Sequence, residues 1–313
     1  MRLHEIDRGD TLSTRLLFNF ISFVSGMRLP DAARIVMYHK DFYGDPITAW
    51  THPAMRGESK WSVGERELIA AMTAKWNACT FCVGAHSAIA SLVFDKAIVQ
   101  AALTDYKRAP IAEKLKAVLG FLEKLELRPG EVSADDVEVV LTAGVSREEI
   151  VDALAVLTLF SITVRCADTF NFALLKDKEL EKSAKRLLAQ GYAFGKAKTP
   201  PHPDHIARAQ DLRRQVLEGP GVTYPGLRQR MAMRAARGAA IDPPYDELAA
   251  QIGEAAYKVT EDQVAKVVQQ AGNEKAAFEL IIAAAVGAGL HRWDAGLAAL
   301  KPPGWTAPRA MVR

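Results

Sequence analysis

The chain has 313 residues, 49% of them apolar and 25% charged, and a formal charge of +3. This composition excludes disordered and fibrous architectures. Forty Lys and Arg against 37 Asp and Glu, without a long basic run, give no footprint for nucleic acid. Three cysteines are too few for a disulfide scaffold at this length, so they point to chemistry.

Residues 1–10 carry Arg2, Asp7, Arg8 and Asp10 with no apolar run behind them. They do not read as a signal peptide, so the expected location is the reducing cytoplasm. Helical periodicity dominates the chain and few segments alternate like strands, which predicts an all-α fold. Helices are expected over residues 11–26, 63–76, 79–94, 111–125, 134–142 and 147–174. Ser62 before Glu65 and Ser133 before Asp136 read as capping boxes. A charged stretch follows over 176–185. The apolar runs 150–164 and 278–290 fall short of about 18 residues and read as buried helices, with no membrane contact expected.

Pro200, Pro201 and Pro203 make residues 196–204 a linker. The predicted domains are therefore 1–198 and 199–313. An internal similarity crosses that boundary: the run Val132 to Val137, Ala143-Gly144 and a helix reaching Arg165 resemble Val259 to Val264, Ala271-Gly272 and a helix reaching Arg292. The offset from 132 to 259 and from 165 to 292 is 127 residues, which reads as a duplicated helical unit. No cysteine lies 127 residues beyond Cys79, so thiol chemistry belongs to the first half.

The chemistry concentrates between Ser62 and His86. If Cys79 opens a helix, Cys79, Cys82 and His86 fall on one face of it. The first turn carries unpaired N–H groups and the positive end of the helix dipole, which favours a thiolate. His86, one turn beyond Cys82, can exchange a proton near neutral pH. Glu67, on the preceding helix, can orient the histidine across a short antiparallel turn. Competing readings are a structural zinc site, for which two further ligands are missing, and a pair of inert core cysteines. Haem c attachment needs His directly after the second cysteine, where Val83 stands.

The run Glu67…Cys79-x-x-Cys82-x-x-x-His86 resembles the active-site signature of the alkyl hydroperoxidase D-like branch of the carboxymuconolactone decarboxylase family. Met55-Arg56-Gly57 and Glu65-Arg66-Glu67-Leu68-Ile69-Ala70 resemble the approach to the catalytic helix in its peroxidase-related members. The resemblance covers roughly residues 35–175, with a weaker echo over 245–300. It implies an all-α bundle of two tandem helical units, the second degenerate. It further implies a peroxidatic Cys82, a resolving Cys79 and a Glu67–His86 proton relay. A hydroperoxide would be the substrate, with no bound cofactor or metal and with an external dithiol reductant, lipoyl or thioredoxin-like. A homo-oligomer is expected. Phe81 stands where some members carry histidine. A lactone enzyme of the wider family and a non-catalytic redox sensor are the alternatives.

Other residues carry weaker signals. Cys166 reads as a core thiol. His39, His52, His202, His205 and His291 have no spacing partners that make a metal set. Arg208, Arg213, Arg214, Arg228, Arg230, Arg234 and Arg237 read as a solvated face or a subunit contact, and Trp61 and Trp76 as aromatic core.

Overall fold

The computed structural model describes residues 1–193 and 199–301, apart from the side chain of Ser25. Sixteen α-helices and no β-strand are found among the described residues, so the fold is all-α. The expected boundary after Lys198 and the start of the linker lie outside the described residues; residues 199–204 are non-helical.

Helices Val63–Trp76 and Ala134–Thr142 run as their capping boxes predict: Ser62 and Glu65 exchange both reciprocal hydrogen bonds, and the Asp136 carboxylate accepts from the Ser133 backbone N–H at 2.8 Å. The helix expected from Cys79 begins at Thr80 and ends at Ala90. The charged stretch is itself a helix, Asp177–Gln190. The helix expected over 147–174 spans Arg147–Phe170, and its 24 residues exceed the length of the apolar run within it. By length and a mean hydropathy of 1.9 it would suffice to cross a membrane, yet 89% of that apolar window is buried within the protein.

The described chain divides into two compact units that are each discontinuous in sequence. One comprises Met1–Thr48, Ile162–Glu179 and Gln210–Ala288; the other comprises Ala49–Ser161, Leu180–Ala209 and the residues from Gly289 onward. This division differs from a single cut near residue 198.

The repeat explains the division. At the 127-residue offset, the capping box of Ser133 and Asp136 recurs as Thr260 and Gln263. Short 3-10 turns at Pro129–Glu131 and Ala256–Lys258 keep the same offset. Earlier in each copy the offset is larger. Arg66 donates to the carbonyl of Gly57, and Arg228 donates to the carbonyl of Gly219. These pairs stand 162 residues apart in sequence (66 to 228, 57 to 219). The two offsets differ by 35 residues, and the second copy passes from Pro225–Ala235 to Tyr245–Ala255 with no counterparts of Thr80–Ala90 and Lys96–Asp105. The second copy thus lacks the helix that carries the dithiol.

Within each unit, the body of one copy is joined by the front and tail of the other. In the first unit Arg165, from the end of the first copy, donates to the carbonyl of Gly253 at 3.2 Å. In the second, Arg292 donates to the carbonyl of Glu126 at 3.0 Å. Both members of this reciprocal pair are 127 residues apart. Gly253 also allows Tyr245–Ala255 to lie against Pro225–Ala235, because a Cβ there would stand 2.1 Å from the carbonyl oxygen of Ala235.

Candidate active site

Helix Val63–Trp76 is buried on nearly every face from Gly64 to Ala74, so its polar residues need protein partners. Arg66 donates to the carbonyls of Ala54 and Gly57, both at 3.0 Å. Glu67 is fully buried and is the hub of the site.

The helix ends in a tight turn. Cys79 N–H donates to the carbonyl of Ala74 at 3.0 Å, and Ala78 N–H to that of Lys75 at 3.0 Å. This closure places Ala78 at φ 57, a left-handed conformation that costs a residue with a Cβ about 1 kcal/mol. The surrounding hydrogen bonds hold it there, and the chain folds back into Thr80–Ala90. Cys79 is the N-cap residue, and Cys82 is third in the helix. His86 follows one turn later on the same face. Cys79, Cys82 and His86 are all buried, and neither thiol is in a disulfide. The sequence places the two sulfurs and the imidazole on one face, and the structure brings Glu67 to that imidazole.

His86 Nδ1 lies 2.8 Å from Glu67 Oε2. An ionised carboxylate only accepts, so Nδ1 carries the proton and Nε2 is left as the basic atom of the neutral ring. Two further donors converge on Glu67. Arg56, ending helix Asp45–Arg56, donates from Nη2 to Oε1 at 2.8 Å and to the carbonyl of Leu187 at 2.8 Å. The Tyr192 hydroxyl lies 3.0 and 3.1 Å from the two carboxylate oxygens. The Phe160 and His86 rings form a T-shaped pair, with centroids 4.3 Å apart. Burial pushes the Glu67 carboxyl upward, but the hydrogen bonds and charges of His86 and Arg56 outweigh it and hold the group below its ordinary value. Burial, and then the charge of Glu67, push the Tyr192 phenol well above its ordinary range, so it remains a donor.

Arg56 stands in the sequence run singled out above, without a role assigned to it. Tyr192 carried no motif at all. It follows the charged helix, and the one local sign is Gly191 at φ +70, where a Cβ would stand 2.6 Å from the His52 ring. His52 Nδ1 accepts the Tyr192 backbone N–H at 3.1 Å.

His202 and His205 do find a partner, one distant in sequence. Asp152 receives His202 Nε2 at 2.8 Å, His205 Nε2 at 3.2 Å and the Ser59 hydroxyl at 2.5 Å. The donor atoms of Asp152, His202 and His205 lie within 4.8 Å of one another, close enough to share an ion. The hydrogen bonding opposes that use. Trp50 Nε1, which can only donate, points at His205 Nδ1 from 3.0 Å. The proton of the neutral His205 ring therefore sits on Nε2, the atom that a metal would need as a lone pair. The cluster instead holds the end of the linker to Asp152. Its counterpart 127 residues on is Glu279, which accepts from His39 at 3.0 Å and from the backbone N–H groups of Val222 and Thr223, both at 2.8 Å. Both copies thus use a buried carboxylate at this position to bind histidine.

Arg228, grouped by sequence with a charged surface, is instead fully buried and 3.6 Å from Glu279. Cys166 is a buried thiol pushed up to about 12 by burial, with the Tyr43 hydroxyl 3.9 Å away. Trp61 is core, its Nε1 donating to the carbonyl of Glu149 at 2.7 Å.

Against burial, hydrogen bonds and neighbouring charges lower the pKa values of Glu67, Asp152 and Glu279 from their ordinary values of 4.5, 3.8 and 4.5. A carboxyl lowered on folding contributes stability that is complete above its unfolded pKa and is lost as pH falls through its folded pKa. The melting temperature is therefore expected to be level down to about pH 5 and to fall below about pH 4. Melting curves from pH 7 to pH 3 check this, and a level profile to pH 3 would contradict it.

No family model matches the chain, and no curated protein matches it. Among solved structures, an uncharacterized peroxidase-related protein from Silicibacter sp. TM1040 is similar at 25% identity and a TM-score of 0.47, over 55% of this chain and 88% of that one. An uncharacterized peroxidase-related protein with an alkylhydroperoxidase AhpD core, from Ralstonia eutropha JMP134, is similar at 23% identity and a TM-score of 0.46 over the same shares.

Proposed function

We propose that the chain is a thiol peroxidase that reduces a hydroperoxide through Cys79 and Cys82. The observation that carries this reading is the buried 2.8 Å hydrogen bond from His86 to Glu67, which fixes the imidazole on the helix that carries Cys82 and is capped by Cys79, neither of them in a disulfide. A base with a defined tautomer, a group that orients it and a nucleophile one turn away form the constellation that activates sulfur. Among the described residues no such set surrounds Cys166.

The steps balance as follows. The Cys82 thiolate attacks one peroxide oxygen, the O–O bond breaks, and sulfur becomes a sulfenic acid while an alkoxide or hydroxide departs. Cys79 gives its proton to that leaving group. The resulting Cys79 thiolate attacks the sulfenic sulfur, the S–O bond breaks, a disulfide forms, and the departing hydroxide takes from His86 the proton that Cys82 gave up, leaving as water. His86 and Glu67 move the protons. An external dithiol, a lipoyl group or a thioredoxin-like protein, restores both thiols by exchange and is itself oxidised. The chemistry calls for no bound cofactor.

Thiols counted before and after one equivalent of an alkyl hydroperoxide test the reading. Two thiols are expected to be lost, and turnover is expected once a lipoyl or thioredoxin reductant is added. Stoichiometric disulfide without turnover would favour a sensor, and no loss of thiols would refute dithiol chemistry.

A further inference from the structure

Helix Leu12–Ser25 is delimited by its own sequence. Thr11 Oγ1 accepts the Thr14 N–H at 3.2 Å and caps its start, and Gly26, at φ 64, closes its end. One face holds the helix in place. Phe18 is buried with the Arg34 guanidinium 5.0 Å from its ring centroid, and the Ser22 hydroxyl accepts the Leu29 N–H at 3.3 Å. The other face is apolar and turned outward. Leu12, Leu16, Phe20 and Val24 stand four residues apart, Leu17 and Phe23 flank that row, and exposure across the six runs from 44% at Leu17 to 86% at Phe23. Ser13 is the polar interruption of this face. Among the described residues, no other helix gathers so many exposed large apolar side chains.

We propose that this face is the contact between two copies of the chain related by a two-fold axis. Area and charge both favour that occupant. At those exposures the six residues present about 700 Å² in each copy, close to the ~800 Å² that each partner gives a stable interface and more than the roughly 300–600 Å² of a typical monomer's largest apolar patch. A two-fold contact sets the same surface on both sides, so a charge near the axis would meet its like. None of the six residues is charged, and neither is Ser13. Their i, i+4 row is the kind of ridge by which helices pack, and the second copy supplies the grooves beside an identical row.

A bilayer surface fits less well. A helix that lies in a lipid interface lines its polar face with Lys and Arg. Here Thr14, Asn19 and Ser22 are uncharged, and Arg15 is the one basic residue on the helix, its Nε donating to the Gly9 carbonyl at 3.0 Å. Arg28, just beyond the helix, is matched by Asp7 and Asp31, both at 2.6 Å. The margin of the face therefore offers anionic lipid almost no unmatched positive charge.

Sedimentation velocity of the full chain, with reductant present so that no disulfide links the copies, tests the contact. The wild type is expected as a dimer, or as an assembly of an even number of copies, at micromolar concentration. The double variant Leu16→Glu, Phe20→Glu is expected at half that size, with association weakened at least a hundredfold and helical content unchanged, because each substitution acts from both sides of a two-fold contact. Val139→Glu, at an exposed valine on helix Ala134–Thr142, is expected to leave the assembly intact. Should the double variant fail to fold, Phe23→Ser, at the most exposed of the six, is read in its place with the same expectation. A monomeric wild type, a trimer, an assembly that keeps its size in the double variant, or one that Val139→Glu disrupts equally would overturn the proposal. Flotation with vesicles of phosphatidylcholine and phosphatidylserine gives the last arm. A monomeric wild type that floats with them, and a double variant that does not, would overturn the proposal and assign the face to a lipid surface.

Discussion

Cys82→Ser is expected to abolish peroxide-driven thiol loss, lowering the rate of hydroperoxide consumption by roughly 10⁴-fold or more, the scale seen when a nucleophile is removed from a cooperating set. Serine keeps the shape of the third helical position but offers a hydroxyl that His86 cannot ionise appreciably near neutral pH. Cys79→Ser is expected to behave differently. Cys82 still attacks, one thiol is lost, and the reaction halts at a sulfenic acid that dimedone traps, because no second thiol follows in the turn. Cys166→Ser separates this pattern from general oxidation. Its thiol is buried and pushed up to about 12, so its removal is expected to lower the thiol count by one and leave the reaction as it was. Two-thiol loss that persisted in Cys82→Ser would mean that another sulfur is the nucleophile, and the assignment of roles within the dithiol would fall.

The dithiol could be read from the sequence because its geometry is local. Cys79, Cys82 and His86 lie within eight consecutive residues, and the period of one helix is enough to align them. Glu67 was reachable because a single short turn separates its helix from theirs. Arg56 and Tyr192 were not: each meets Glu67 across a tertiary gap, 11 and 125 residues away in sequence. No periodicity reports such a meeting. The same limit applied to Asp152, whose imidazole partners are His202 in the proline-rich linker, 50 residues on, and His205 at the start of the helix that follows it.

The repeat was legible only in part, for a physical reason of its own. The 127-residue offset survives where capping boxes and buried helices constrain residue types, as in Ser133 and Thr260 or Arg165 and Arg292. Upstream, the second copy has no counterpart of the two helices Thr80–Ala90 and Lys96–Asp105, so that offset fails and the paired Arg66 and Arg228 appear unrelated. Arg228 was consequently grouped with solvent-facing arginines. Its burial becomes intelligible from Arg66, which serves the same carbonyl-binding role in the other copy. The missing stretch is the one that bears the sulfur, so the chain carries a single dithiol although its scaffold is built twice.

Glu67→Gln is expected to damage both the chemistry and the fold, and the two losses have separate causes. Wild-type Glu67 is fully buried and satisfies Arg56, whose side chain is only 9% exposed. Glutamine preserves the volume but removes the charge, and a guanidinium left buried without its partner costs about 3–5 kcal/mol. The variant is therefore expected to melt well below the wild type at neutral pH. The amide also has a donor end, so one of its two ends repels either Arg56 or the Nδ1–H of His86. Whichever way it turns, the tautomer that leaves Nε2 basic loses its support, and removing the group that orients a general base costs about 10²–10⁴-fold in rate. Glu67→Asp separates these effects. It retains the charge for Arg56 but retracts the carboxylate by one methylene, so stability is expected to recover more fully than the rate of dithiol oxidation. Chemical denaturation read beside thiol loss checks both. A Glu67→Gln protein with wild-type kinetics would show that His86 needs no orienting carboxylate, and a Glu67→Asp protein in which rate and stability recovered together would show that Glu67 serves the fold alone.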